Sequence, residues 1–229
     1  MEPHLAVDEK NSLLEVRQRR AKQPLPVRIA ARVVSYLLHP LFIPVYLFWL
    51  ILKANAYSFA SFSELGKLML MGTFVIMYIM FPLLSVLLLK ALGFISSIHL
   101  RTQRDRIIPY VVCMIWYWWV WYVMINRPEV PKDCVVLSLA IFLASIGGLI
   151  ANISMKVSMH AIAAGVMMMF VMLFGFSQDL GFGIYISASI FLAGVICTAR
   201  FIDSDHTPKE IYTGLFIGIG AILLAMQFV

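Results

Sequence analysis

Charge is what this sequence is short of. Only 13% of its 229 residues are Asp, Glu, Lys or Arg, against about 25% in an ordinary soluble domain. The shortage is concentrated in runs that carry no charged residue at all: Val33–Leu52, Leu68–Leu89, Ile107–Asn126, Cys134–Met155, Ala161–Gln178, Leu180–Ala199 and Ile211–Val229. Each is close to the roughly 20 residues a helix needs to cross the hydrocarbon of a bilayer. An apolar core inside a soluble domain would not be cut into lengths like these. Cysteine is scarce as well. Cys113, Cys134 and Cys197 lie in or at the edges of the apolar runs, without metal-ligand spacing, and read as packing residues. Residues 1–32 lack an apolar stretch before a small-residue cleavage site, so no signal peptide is expected. Internal repeats and low-complexity segments are also missing.

What is present predicts an all-α fold, a polytopic membrane helix bundle of six to seven spans, since a helix satisfies its own backbone hydrogen bonds in lipid. Residues 1–32 form a basic N-terminal segment and residues 33–229 the transmembrane bundle. Within the first, Leu13, Leu14 and Val16 alternate with Arg17, Arg19, Arg20 and Lys22, which fits either a helix lying on an anionic membrane surface or a disordered basic tail. Pro40 and Pro44 interrupt the first apolar run, which either crosses or turns back as a hairpin; crossing is the expectation. Seven spans put the N-terminus, Lys90–Arg106, Lys156 and Arg200–Glu210 on one side, with 14 Lys and Arg against 4 on the other. By the positive-inside rule that side is cytoplasmic. Without Arg101, Arg104, Arg106, Lys156 and Arg200, which have chemical uses, the balance is still 9 to 4.

Three polar segments fall on that same side. They are Arg101-Thr-Gln-Arg104-Asp-Arg106-Ile-Ile-Pro109, Lys156-Val-Ser158-Met-His160, and Arg200-Phe-Ile-Asp-Ser-Asp-His206-Thr-Pro-Lys-Glu210. Two spans separate each from the next, so an even number of crossings returns all three to one face. Together they offer cations to hold a phosphate, and histidines, a serine and a carboxylate for acid, base or nucleophilic chemistry.

In order and spacing these segments resemble the three signature segments of the type 2 phosphatidic acid phosphatase superfamily, membrane enzymes that dephosphorylate lipid phosphates and diphosphates without a metal. The third family segment reads Ser-Arg, five residues, His, three residues, Asp; here Ala199-Arg200, five residues, His206, three residues, Glu210 corresponds. The second, Pro-Ser-Gly-His, is matched by Val157-Ser158-Met159-His160. The first, Lys, six residues, Arg-Pro, is matched loosely: Arg106 lies three residues before Pro109, His99 seven before Arg106, and Arg101 seven before Ile108. The similarity covers about residues 99–214.

The resemblance implies that His206 attacks phosphorus to form a transient phosphohistidine, oriented by Glu210. His160 would protonate the leaving oxygen and then activate water. Arg200 would hold the equatorial oxygens, helped by Arg101, Arg104 and Arg106, with Ser158 and Lys156 completing the phosphate site. It implies a lipid phosphate substrate, no cofactor or metal, no nucleic acid, and a multi-pass location in a bacterial inner membrane. Oligomeric state stays open.

Each residue also has a plainer reading. Thr207-Pro208-Lys209-Glu210 is a helix start with a capping box, Ser158 is a helix cap, and Arg200 is a helix-end cation that snorkels to headgroups. His39 and His99 are structural by default. The alternatives to an enzyme are a non-catalytic relative that binds or carries lipid phosphates, or a metal site of Asp203, Asp205, His206 and Glu210. Trp116, Trp118, Trp119, Trp121 and Tyr122 read as an aromatic belt, and Gly214 with Gly218 as a close helix-packing pair.

Overall fold

The computed structural model describes residues 4–7, 13–16, 23–98, 103–178, 181–204 and 206–229; for 4–7, 13–16 and Arg104 it describes the backbone alone. Two short strands near the N-terminus, β1 (His4–Val7) and β2 (Leu13–Val16), pair antiparallel. At 4–7 and 13–16 they stand in place of either alternative expected there, a surface helix or a disordered tail; residues 1–3, 8–12 and 17–22 lie outside the described residues, and 25–32 begin the first helix. The long elements among the described residues are helices: α1 (Leu25–Leu37), α2 (Ile43–Ala54), α3 (Glu64–Ala91), α4 (Gln103–Ile125), α5 (Lys132–Ser154), α6 (Met159–Phe176), α7 (Gly183–Asp203) and α8 (Pro208–Phe228).

Among the described residues six helices, α3 to α8, are long and apolar enough to cross a membrane. The chain is an integral, multi-pass membrane protein with an all-α bundle. The run Val33–Leu52 departs from the expectation of one continuous span. Its first residues end α1, residues 38–42 turn, and the rest enters α2. Proline is the reason: the residue before Pro40 is disfavoured in helical geometry, and Pro44 suits only a first turn, where it sits in α2. Pro82 is absorbed differently, by a π-helical stretch at Ile76–Met80 inside α3.

α5 and α6 form the middle of the bundle, with 56% of each spanning window buried, against 33% or less for the other spans. α6 meets α8 backbone to backbone. A Cβ added to Gly218 would lie 2.1 Å from the Ile162 carbonyl oxygen, and one added to Gly165 2.1 Å from that of Leu215. Gly214 makes the same kind of approach a turn nearer the site, 2.8 Å from the Ser158 carbonyl oxygen, as the small-residue spacing predicts. This contact fixes the starts of α6 and α8 side by side.

The aromatic cluster of α4 divides. Trp118, Trp119 and Tyr122 are exposed to the surroundings, whereas Trp121 stacks toward Phe142 and Trp116 donates to Ser85 Oγ at 3.1 Å. Cys134 is fully buried and all three cysteines are free thiols, in line with packing roles.

Candidate active site

One end of the bundle gathers the polar segments. Asn152, near the end of α5, exchanges hydrogen bonds with Gln103 at the start of α4. Asp105 accepts from Ser96 N–H at 2.8 Å and from Ser96 Oγ at 2.5 Å, which anchors the connection between α3 and α4. α4 is thereby rotated so that Arg106 points inward, buried, donating from Nη1 to the Val157 carbonyl at 2.7 Å. Val157 precedes Ser158, so the first and second polar segments are joined directly.

Ser158 is completely buried and caps α6, its hydroxyl accepting from Ala161 N–H at 3.4 Å. Its own N–H donates to the Glu210 carbonyl at 3.2 Å, tying the second segment to the third. The cap reading of Ser158 therefore holds. Lys156 lies half-buried on the same short connection.

At the start of α8 the carboxylate of Glu210 does two jobs. Thr207 and Glu210 form a full capping box: Glu210 N–H donates to Thr207 Oγ1 at 3.3 Å, and Thr207 N–H donates to Glu210 Oε2 at 2.9 Å. The same Oε2 lies 3.1 Å from His206 Nδ1. A carboxylate can only accept, so Nδ1 carries the proton and Nε2 holds the lone pair. Both side chains are buried, His206 to 6% exposure and Glu210 to 4%. Burial holds the His206 ring below the usual histidine range. Glu210 opposes that shift, and the charges of Arg106 and Arg200 add to it. The ring is neutral with Nε2 bare, the form a nucleophile needs.

Arg200, one turn from the end of α7, donates from Nη1 to Ser35 Oγ at 3.1 Å. Its Nε is buried without a hydrogen-bond partner among the described residues. An inward-facing guanidinium donor of this kind is an obligation that an anion would satisfy. Asp203 pairs with Arg32 of α1 at 3.2 Å. Among the described residues no three His, Cys, Asp or Glu side chains group so as to hold a metal ion, and Asp205 lies outside them.

His160, in the first turn of α6, bonds from Nε2 to the Ser35 carbonyl at 3.1 Å. Arg200, His39 and His206 lie close enough for their charges to act on it. The ring of His39 stands edge-on to that of His160, with centroids 5.2 Å apart. His39 thus packs against His160, a contact compatible with the structural role expected of it. Its Nδ1 accepts from Leu41 N–H at 3.3 Å, and burial, then Arg200, lowers it to about 4.

Of the residues the sequence proposed, the structure brings together His206, Glu210, His160, Arg200, Arg106 and Ser158. Arg101, His99, Asp205 and the side chain of Arg104 lie outside the described residues. Ser35 and His39 were missed. Both contact residues more than a hundred positions away in the chain, and their one sequence signal was a histidine next to a proline in an apolar run. No family model, characterised protein or solved structure matches this chain.

Proposed function

We propose that this protein is a membrane-embedded phosphatase for lipid phosphates or diphosphates, working through a phosphohistidine intermediate and needing no metal. The observation that carries the reading is the pairing of a buried, Glu210-tethered His206 with two arginines whose charges reach it, the buried Arg106 and the half-buried Arg200 with its buried Nε. His206 Nε2 forms the bond to phosphorus while the bond to the lipid oxygen breaks. His160 supplies the proton to that oxygen, then takes one from the water that splits the phosphohistidine and regenerates His206. Arg200 and Arg106 meet the charge that builds on the equatorial oxygens, as preorganised donors in a site withdrawn from water.

A lipid is favoured over a soluble ester by the surroundings. The site sits at the end of a membrane bundle. An apolar groove of about 490 Å³ between α1 and α7 runs up to Val34 and Ala199, the chain neighbours of Ser35 and Arg200. The Arg32–Asp203 pair also places the C-terminal half of α1 at the site end of α7.

The test is phosphate release from a panel of lipid phosphates by the purified protein in detergent. Release should persist in chelator and vanish in His206→Ala. Loss of activity in chelator would indicate a metal enzyme, and binding without release a non-catalytic lipid-phosphate binder.

A further inference from the structure

α1 looks dispensable by most measures. It is 13 residues long, lies outside the six spans and leaves Leu25, Ile29, Val33, Tyr36 and Leu37 exposed. Only Ala31 and Ser35 are buried in it. A serine so placed would ordinarily satisfy its hydroxyl on its own helix and do nothing else. Ser35 does donate to the Ala31 carbonyl, at 2.9 Å. That bond uses its only proton and leaves the oxygen as an acceptor, which Arg200 Nη1 fills at 3.1 Å.

The carbonyl of Ser35 follows a second logic. The last bond that closes α1 runs from Leu38 N–H to the Val34 carbonyl at 2.9 Å. Pro40 disfavours helical geometry at His39, so the helix goes no further. Ser35 is therefore the first residue whose carbonyl has no partner in its own helix. His160 Nε2 takes that acceptor at 3.1 Å. A carbonyl can only accept, so the proton of His160 is on Nε2, and the neutral ring keeps its lone pair at Nδ1.

We infer that Ser35 is a positioning residue of the site, its hydroxyl aiming the Arg200 guanidinium and its carbonyl fixing the tautomer and orientation of the His160 ring. It would do for His160 what Glu210 does for His206. The kinetic consequence rests on the phosphatase reading; the tautomer does not. With the Nε2 proton held by Ser35, His160 works through Nδ1: it takes the proton of a monoanionic substrate phosphate and hands it to the leaving oxygen, then takes one from the attacking water and releases it with the phosphate, and the carbonyl stabilises the imidazolium formed each time.

Two measurements on the full-length protein test this. In lipid nanodiscs, ¹⁵N-histidine NMR near neutral pH should show His160, assigned by its loss in His160→Gln, with Nε2 protonated and Nδ1 bare. A proton on Nδ1 in place of Nε2 overturns the carbonyl half of the inference whatever the protein catalyses. In lipid phosphate hydrolysis, Ser35→Ala should lower kcat about tenfold, the scale of one hydrogen bond to a charged group, with KM within about twofold. Ser35→Thr, which keeps both the donor and the acceptor, should restore most of the rate. An unchanged kcat in Ser35→Ala, or an equal loss in the threonine variant, overturns the hydroxyl half. No hydrolysis by the unaltered protein on any lipid phosphate would overturn the proposed function, and the NMR result would still decide the position of His160.

Discussion

A histidine that attacks phosphorus must be bare at one ring nitrogen and tethered at the other, and His206 meets both conditions through a single carboxylate oxygen. Its pKa is held below 6.5, so the neutral form persists into mildly acidic solution and the acid limb of kcat/KM should fall below pH 6.5. Folding stability has the same sign. The unfolded chain takes up a proton near pH 6.5 that the folded ring refuses, so His206 makes the fold less stable as pH drops through that value. Glu210 is the influence that raises the ring. Glu210→Gln should therefore move the acid limb to still lower pH, while kcat falls by roughly a hundredfold as orientation is lost. A pH–rate profile of the variant checks both, and an unmoved limb would mean that Glu210 only caps the helix. Arg200 makes a complementary prediction. It uses Nη1 on Ser35 and turns Nε inward, two directions that one ammonium cannot serve. Arg200→Lys should lose about tenfold or more in kcat; full activity would return Arg200 to a snorkelling role.

The spacing of Arg200, His206 and Glu210 was legible in the sequence because the three lie on one helix end and the next helix start, where local geometry follows from spacing. The choice of Arg106 was not legible. It depends on how far α4 is rotated against the connection between α5 and α6, which the bonds of Asp105 to Ser96 and of Arg106 to Val157 set. Ser35 was invisible for the same reason, since both its partners are long-range.

At the scale of the elements, six of the seven apolar runs became spans, because length and hydropathy alone decide whether a helix can cross. The seventh failed on backbone chemistry, at Pro40, and that break opened the Ser35 carbonyl to His160. The helix pair that matters most is α6 with α8, whose starts carry His160 and Glu210. Gly218→Val puts a side chain where the Ile162 carbonyl oxygen stands 2.1 Å away. No rotamer relieves a backbone contact, so the helices must separate. The variant should lose about 2–4 kcal/mol of stability, together with most activity. Gly220→Val is the control, because nothing lies within 4 Å of a Cβ there. Thermal unfolding in detergent compares the two, and equal behaviour would show that the glycine contact does not hold the starts of α6 and α8 in place.

For the whole molecule the open quantity is orientation. Two topologies compete, and they differ in whether the basic N-terminus and the site share a side. A hairpin at Val33–Leu52 that returned to its own side would leave the N-terminus opposite the site. Against it, Arg32 pairs with Asp203 and Ser35 with Arg200, so this stretch of α1 sits at the site end of α7. α2 then leads away from the site. Its turn residue His39 lies against His160, and Asn55, just past its other end, reaches Asp133 at the start of α5, where Lys132 donates to the Val229 carbonyl at the opposite end of the bundle. With 12 residues α2 is about 18 Å long, short of the roughly 30 Å of hydrocarbon, yet with the buried turn at Phe59 it joins the two ends. If the basic segment and the site share a side, the positive-inside rule predicts that it is the cytoplasm. Lys209 is the position to test, since it is exposed at the site end, whereas Asp203 is bound to Arg32. Lys209→Cys, in a background with Cys113, Cys134 and Cys197 replaced, should resist an impermeant thiol reagent on intact cells and react once they are permeabilised. Labelling from outside would reverse the orientation, and with it the side of the membrane on which the lipid phosphate is met.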